Sequence, residues 1–280
     1  MMHKKNILNL LLLIAVISLA TLIYFSEKDN NELGQLTAIS TSGITAISIH
    51  HNKNTTQLIK HKDGQWLLTE PVNIEANNFR INSVLKLLNA PVHSRYPVTQ
   101  INLANTGLER PATSITLDDS VIYFGIINPA TELRYVRLDD TVYTIDDVYY
   151  PLLNSNFSTL VSLNLLPTNS KITKLILPGL TISKDKNDFW QSNVLLSADD
   201  INKTIEHWQH GQAFGIHEYM QRSAENTSTP GEIFVYLQDQ EQAIRYLITD
   251  TDPWLILARP EIGIEYHIDI KAYRGLIPAR

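Results

Sequence analysis

Two histidines three residues apart, His207 and His210, followed by His217 and Glu218, form the most metal-like grouping in the sequence. On a helix that spacing puts both imidazoles on one face, and a third nitrogen with a carboxylate would complete a site. Gly211 ends the helix, however, and the pattern departs from the paired-histidine signature of zinc proteases. Histidine at a helix C-terminus also suits the negative end of the helix dipole. Four Asp-Asp pairs, 118–119, 139–140, 146–147 and 199–200, would serve acid–base or glycosidic chemistry if they converged in a cleft. The first two fall between strand pairs, where Asp favours turns. The last two open helices, where Asp caps backbone N–H groups. The positional logic therefore makes all of them structural. No catalytic, cofactor-binding or metal-binding residue is assigned, and no cofactor is expected.

Other routes to chemistry close quickly. There is no G-x-S-x-G elbow, no phosphate-binding G-x-x-x-x-G-K-[ST] loop and no G-x-G-x-x-G turn. Cysteine is absent, which excludes disulfides, cysteine nucleophiles, cysteine-based zinc sites and iron–sulfur clusters. Trp66 and Trp190 offer faces for stacking on a sugar, but their equivalent places in strand-like segments read as core anchors. Arg134-Tyr135-Val136-Arg137 interleaves basic and aromatic residues. The net charge of −6, from 23 Lys+Arg against 29 Asp+Glu, disfavours a polyanionic partner, so no nucleic acid is expected. Over 280 residues, 44% hydrophobic and 19% charged, the chain has enough apolar material to build cores and length for roughly two domains.

The elements begin with an apolar run, Ile7 to Phe25, of 19 residues without a charge. As a helix it spans about 28 Å, close to the hydrocarbon thickness of a bilayer. Lys4 and Lys5 precede it and Glu27, Lys28 and Asp29 follow, which places the N-terminus in the cytoplasm. Ser18-Leu19-Ala20 resembles a signal-peptide cleavage site, yet Leu22–Phe25 continue the run past it. The expectation is a retained single-pass anchor in the bacterial inner membrane, with residues 27–280 on the periplasmic or extracytoplasmic side.

Beyond the anchor the sequence repeats itself weakly but in order. Ile44-Thr-Ala-Ile-Ser-Ile resembles Ile172-Thr-Lys-Leu-Ile-Leu, and Trp66 answers Trp190. Ile81, Leu85 and Leu88 answer Ile201, Ile205 and Trp208; Ile115 and Leu117 answer Val235 and Leu237; Tyr143 and Ile145 answer Tyr266 and Ile268. Each unit reads as two or three strands, a helix with one buried stripe, four alternating strands and a closing helical turn, at 146–153 and 269–276. Ser197 is the natural N-cap of the second helix, with Asp200 as its capping partner. Period-2 alternation predicts mostly antiparallel sheets with covering helices. The predicted architecture is α+β: an N-terminal transmembrane helix followed by two tandem related units. Its segments are a cytoplasmic tip and anchor (1–26), a tether (27–39), a first unit (40–157), a packed connector (158–170) and a second unit (171–280). Gln221–Gly231 is the most loop-like stretch.

Several of these segments carry a family resemblance. Trp66-Leu-Leu-Thr-Glu-Pro71 precedes the helix; Thr106-Gly107-Leu108-Glu109-Arg110-Pro111 precedes a strand; Ile122-Tyr-Phe-Gly125, Arg134-Tyr-Val-Arg137 and Val142-Tyr-Thr-Ile145 follow. This pattern resembles the bacterial, membrane-anchored family catalogued as domain of unknown function 4340, over about residues 40–280. Gly107 and Gly125 have no counterparts in the second half. The family carries no established activity or catalytic residues. Its resemblance implies an association with auxiliary components of ABC-type transport systems. The expected function is a non-enzymatic accessory or scaffolding component of an envelope complex with a membrane protein partner. The alternatives are an envelope hydrolase acting on a saccharide or lipid, and a sensor that binds a small molecule in the crevice between the units.

Overall fold

Alternating apolar and polar residues around the turn Lys62–Gly64 and around two Asp-Asp turns build the first sheet. Its strands are β1 (Ala46–His51), β2 (Asn54–Lys60), β3 (Trp66–Glu70), β4 (Ile74–Glu75), β5 (Ser94–Pro97), β6 (Thr113–Leu117), β7 (Ser120–Ile127), β8 (Arg134–Leu138) and β9 (Thr141–Ile145). Helix α1 (Asn78–Leu85) lies between β4 and β5, and the short α2 (Tyr150–Leu153) follows β9. The second sheet contains β10 (Ile172–Leu177), β11 (Leu180–Lys184), β12 (Trp190–Ser192), β13 (Gly215–Glu218), β14 (Glu232–Leu237), β15 (Ile244–Asp250), β16 (Leu255–Arg259) and β17 (Ile264–Ile268), with α3 (Ala198–Gln209) between β12 and β13. This computed structural model describes residues 12–19, 21, 33–221, 231–238, 240–269, 271 and 275–277.

The strand orders are β4-β3-β2-β1-β6-β7-β8-β9-β5 and β12-β11-β10-β14-β15-β16-β17-β13. Every pair is antiparallel. With β4 set aside, the two orders correspond position by position. The registers correspond as well: Ile115 pairs with Ile122 as Val235 pairs with Ile244. At the first strand, however, Ile49 opposite Ile115 matches Leu175 opposite Val235. The alignment of Ile44 with Ile172 is therefore two residues out of step. Side chains alternate with period two, so a two-residue slip leaves the apolar pattern intact and invisible in sequence.

The helices lay matching stripes on the sheets. Ile81, Val84, Leu85 and Leu88 are buried in the first half, and Ile201, Thr204, Ile205 and Trp208 in the second. Ser197 Oγ accepts from Asp200 N–H (3.1 Å) and donates to Asp200 Oδ2 (2.6 Å), so the N-cap forms as the sequence predicts. The second core carries Trp208 where the first has Leu88, and Tyr246 where the first has Phe124. Trp208 and Tyr266 pack against Tyr246 with centroids 5.8 and 5.9 Å away, in a tilted and an edge-on contact, gaining packing beyond their area burial.

The connector joins the sheets through backbone bonds. Asn77 N–H donates to Leu160 C=O (2.7 Å) and Ser162 N–H to Glu75 C=O (2.9 Å) on the first-sheet side. Ala213 N–H donates to Leu163 C=O (2.9 Å) and Leu165 N–H to Gly211 C=O (2.9 Å) on the other. Residues 160–165 thus run as a hydrogen-bonded seam, with Leu160, Val161 and Leu165 in one continuous core that includes both halves. The chain ahead of the first sheet behaves alike: Leu36 N–H donates to Ala90 C=O (2.9 Å) and Val92 N–H to Gly34 C=O (2.8 Å). Leu36 and Leu165, which stand 129 residues apart, fill the same role in each half.

Residues 12–19 are helical and exposed, and among the described residues no helix is long and apolar enough to cross a membrane. Of the run 7–25, residues 7–11, 20 and 22–25 lie outside the described residues, as do 27–32 of the tether and 222–230 of the loop-like stretch. In the second closing turn, 270 and 272–274 also lie outside them.

Candidate functional site

The seam leaves a crevice of about 350 Å³ between the two sheets. Leu67 and Ile74 reach it from the first sheet, Leu165 and Leu166 from the connector, and Arg259 and Tyr266 from the second sheet. Glu75, at its edge, accepts from the backbone N–H (2.9 Å) and hydroxyl (2.8 Å) of Thr168. Arg259 donates from Nε to Glu261 Oε1 (2.9 Å), and its guanidinium lies 5.8 Å from the ring of Tyr246. Tyr246 is fully buried, and its hydroxyl donates to the Leu165 carbonyl, fastening the seam. Burial raises the pKa of Tyr246 well above its ordinary value and that of Tyr266 in the same direction, with Tyr266 partly offset by Arg259. Both phenols therefore stay protonated, Tyr246 donating to the seam and Tyr266 accepting from Arg259. Histidine is missing among the described residues that line the crevice, and Ser162 Oγ there accepts from Asn164 N–H (3.3 Å). Apolar walls with a few fixed polar groups suit binding.

The residues singled out for chemistry lie apart. His207 Nδ1 is 2.6 Å from Lys203 C=O on α3, and His210 caps the same helix. His217 sits on β13, its ring tilted against that of His267 with centroids 4.4 Å apart. Burial first, and then His267, lower the His217 pKa below 6.5; Glu265 pulls it up and Arg80 pushes it down. No group of three or more metal-type ligands converges among the described residues. Asp118-Asp119, Asp139-Asp140 and Asp199-Asp200 take the turn and helix-opening places expected of them, but Asp146-Asp147 does not cap α2, which begins at Tyr150 behind N-cap Tyr149; its carboxylates are drawn to side chains across the sheet instead. Asp118 and Asp139 take positive φ (48° and 52°) in two-residue hairpin turns, and Asp118 accepts from Thr45 and Ala46 N–H (3.1 and 2.8 Å). Asp146 faces His93 at 3.4 Å, Asp147 pairs with Arg134, and Asp199 pairs with Lys203 at 2.6 Å. Trp66 is buried and Trp190 half-buried. Each carries a lysine over its ring, Lys60 at 5.9 Å and Lys184 at 5.3 Å, from the residue directly across the strand pair.

Arg134 does not project outward as an interleaved basic strand would. It is buried, lies 3.6 Å over the Tyr150 ring, donates to the Gly125 carbonyl and forms a two-pronged pair with Asp147. Gly125 in turn receives the loop before β6. Ile126 N–H donates to Thr106 C=O (2.9 Å), Gly107 takes φ of 70°, and Leu108 is fully buried. A Cβ on Gly125 would stand 2.1 Å from the Thr106 carbonyl oxygen. The motif residues Thr106–Leu108, Gly125 and Arg134 are thus one clasp holding a loop against β7.

The sequence model of one family, described as Domain of unknown function (DUF4340), matches residues 66–210, just over half of the chain. The chain belongs to this family. The matched segment runs from Trp66 through the clasp and the connector to the end of α3, so the family's defining stretch includes the seam between the sheets. No curated protein and no solved structure matches the chain. The sequence missed Arg259 and Tyr266 as crevice residues and Tyr246 as the buried ring behind them. The two tyrosines were visible only as apolar members of an alternation, and nothing local marks Arg259 as their neighbour.

Proposed function

We propose that this chain is a membrane-anchored, non-catalytic accessory or scaffolding component of a bacterial envelope complex, and that an ABC-type transport system is the assembly it serves. The anchor rests on the uncharged run 7–25, and the tandem duplication rests on the matching strand orders. One observation carries the reading. Asp118, Asp146, Asp147, Asp199 and Asp200 are engaged in a turn, pairs and a cap, and His207 and His217 in local contacts, while seam and core tie both halves together. A rigid two-sheet body beside a membrane suits partner positioning, because tethering raises effective concentration. Affinity isolation of the full chain from gently solubilised membranes tests this: a stoichiometric membrane protein partner is expected, and the chain recovered alone would refute it.

The crevice favours a second reading, a sensor for a small molecule. Its apolar walls, the Tyr266 hydroxyl, Arg259 and Glu75 would hold a ligand with both charged and apolar parts. Substituting Arg259→Met should then remove ligand-dependent thermal stabilisation. A hydrolase reading would require one carboxylate or histidine group whose loss abolishes function without loss of stability or partner binding.

A further inference from the structure

In the first half, the sheet edge beside α1 is covered by the connector. Glu75 C=O and Asn77 N–H bond to Ser162 and Leu160, Val161 bridges to Ala76, and Arg80 Nη1 donates to Thr159 C=O at 2.7 Å. Counting from the helix N-caps Asn77 and Ser197, Glu75 corresponds to Leu195 and Arg80 to Asp200. There the edge is open. Among the described residues none donates to the Leu195 carbonyl and none accepts from the N–H groups of Leu196 or Ser197. Leu195 is 102% exposed, Phe189 69% and Val194 40%. The second half is also four residues shorter here: the spacing of matched positions falls from 124 at Trp66/Trp190 to 120 at Ile81/Ile201. That deletion shortens the return after β12, so residues 194–195 do not pair back on it as Ile74–Glu75 pair on β3, and β12 is the last strand of its sheet.

We propose that this edge, β12 with residues 193–197, docks an extended segment of a partner protein by strand addition. The covered edge of the first half shows what chemistry such a segment has: adjacent apolar residues like Leu160-Val161, bonded through their flanking backbone groups to positions i and i+2 of the edge. Leu195, Val194 and Phe189 supply the apolar surface it would cover. The charge differs from the template. Arg80 donates to a carbonyl just ahead of the apolar pair, whereas Asp200 has no proton to give and favours a cation. The segment therefore carries a basic side chain immediately before its apolar pair. The inference rests on the reading of the chain as a binding component and names the chemistry of its partner.

The test uses the full chain in mild detergent and a labelled peptide of residues 156–163 bearing Thr159→Lys. The peptide binds saturably, and the Ser197 amide exchanges more slowly in its presence. N-methylation of the peptide nitrogen at position 162 weakens binding about tenfold, the equivalent of one backbone hydrogen bond, without touching the protein. Leu195→Asp weakens it similarly, and Asp200→Arg reverses the preference between the lysine peptide and its threonine parent. Absence of saturable binding, or equal binding of the N-methylated peptide, overturns the proposal. If the peptide fails while a membrane partner still co-purifies with Leu195→Asp, the docking edge is wrong and the scaffold reading stands. If the peptide binds as described but no partner co-purifies, the edge stands and the scaffold reading falls.

Discussion

The clasp at Gly125 makes a quantitative demand. In Gly125→Ala the new methyl would lie 2.1 Å from the Thr106 carbonyl oxygen and 3.0 Å from Leu108 Cγ. The first contact is with backbone, so no side-chain rotation relieves it. The loop ahead of β6 must lift from β7 by about 1.3 Å or more, the gap between that distance and ordinary contact at 3.4 Å. Lifting it loosens the hydrogen bond from Ile126 N–H to Thr106 C=O, worth about 1 kcal/mol net. It also partly exposes Leu108, whose full burial contributes about 1.5–3 kcal/mol. The expected destabilisation is about 2–4 kcal/mol, seen in urea unfolding as a lower midpoint with unchanged slope. Gly43→Ala is the control, because a Cβ there meets nothing within 4 Å and its φ is not left-handed; it should change stability by under about 1 kcal/mol. A Gly125→Ala protein within about 0.5 kcal/mol of wild type would refute the clasp, since exposed neutral substitutions fall in that range.

Other outcomes follow from the same contacts. Trp66→Ala should cost about 3–5 kcal/mol, as for other fully buried aromatics, and Trp190→Ala clearly less because that ring is half-buried; equal losses in thermal unfolding would contradict the burial difference. Arg134→Ala should destabilise by about 2–4 kcal/mol, by leaving Asp147 without its partner near the Tyr150 ring, whereas Arg134→Ala with Asp147→Asn should recover part of the loss in a double-mutant cycle. The lowered His217 pKa means that below pH 6.5 the unfolded imidazole takes up a proton that the folded one resists. Stability therefore declines as pH falls from 6.5 toward the folded pKa and levels off beneath it, and His217→Asn should flatten that part of the profile.

How much of this was legible in the sequence varies with the kind of signal. Period-2 runs such as Thr113–Leu117 and Glu232–Leu237 gave the central strands, and the helical stripe at Ile81 and Ile201 gave both helices. The edge strands β4, β5 and β13 escaped, because segments of two to four residues with little burial carry no alternation. The segments assigned to tether and connector each begin the pairing of the half that follows, through Leu36 and Leu165. A single leucine in a polar setting does not reveal backbone pairing. Asp118 and Asp139 were readable as turns because Asp tolerates left-handed backbone. Arg134 was not readable as buried, because its partners Gly125 and Asp147 lie 9 and 13 residues away and are brought to it by two different strand pairings, β7 with β8 and β8 with β9.

The central claim, that this chain works by binding at a membrane, is tested most directly by co-purification. The full chain and a variant carrying Asp118→Asn, Asp139→Asn, His207→Gln, His210→Gln and His217→Gln would be isolated from gently solubilised membranes and their partners quantified. The account predicts one membrane protein at the same fixed ratio in both preparations, and a lower ratio when the run 7–25 is replaced by a cleaved export signal. Recovery of either protein without a stoichiometric partner, from membranes in which it is folded, would contradict it.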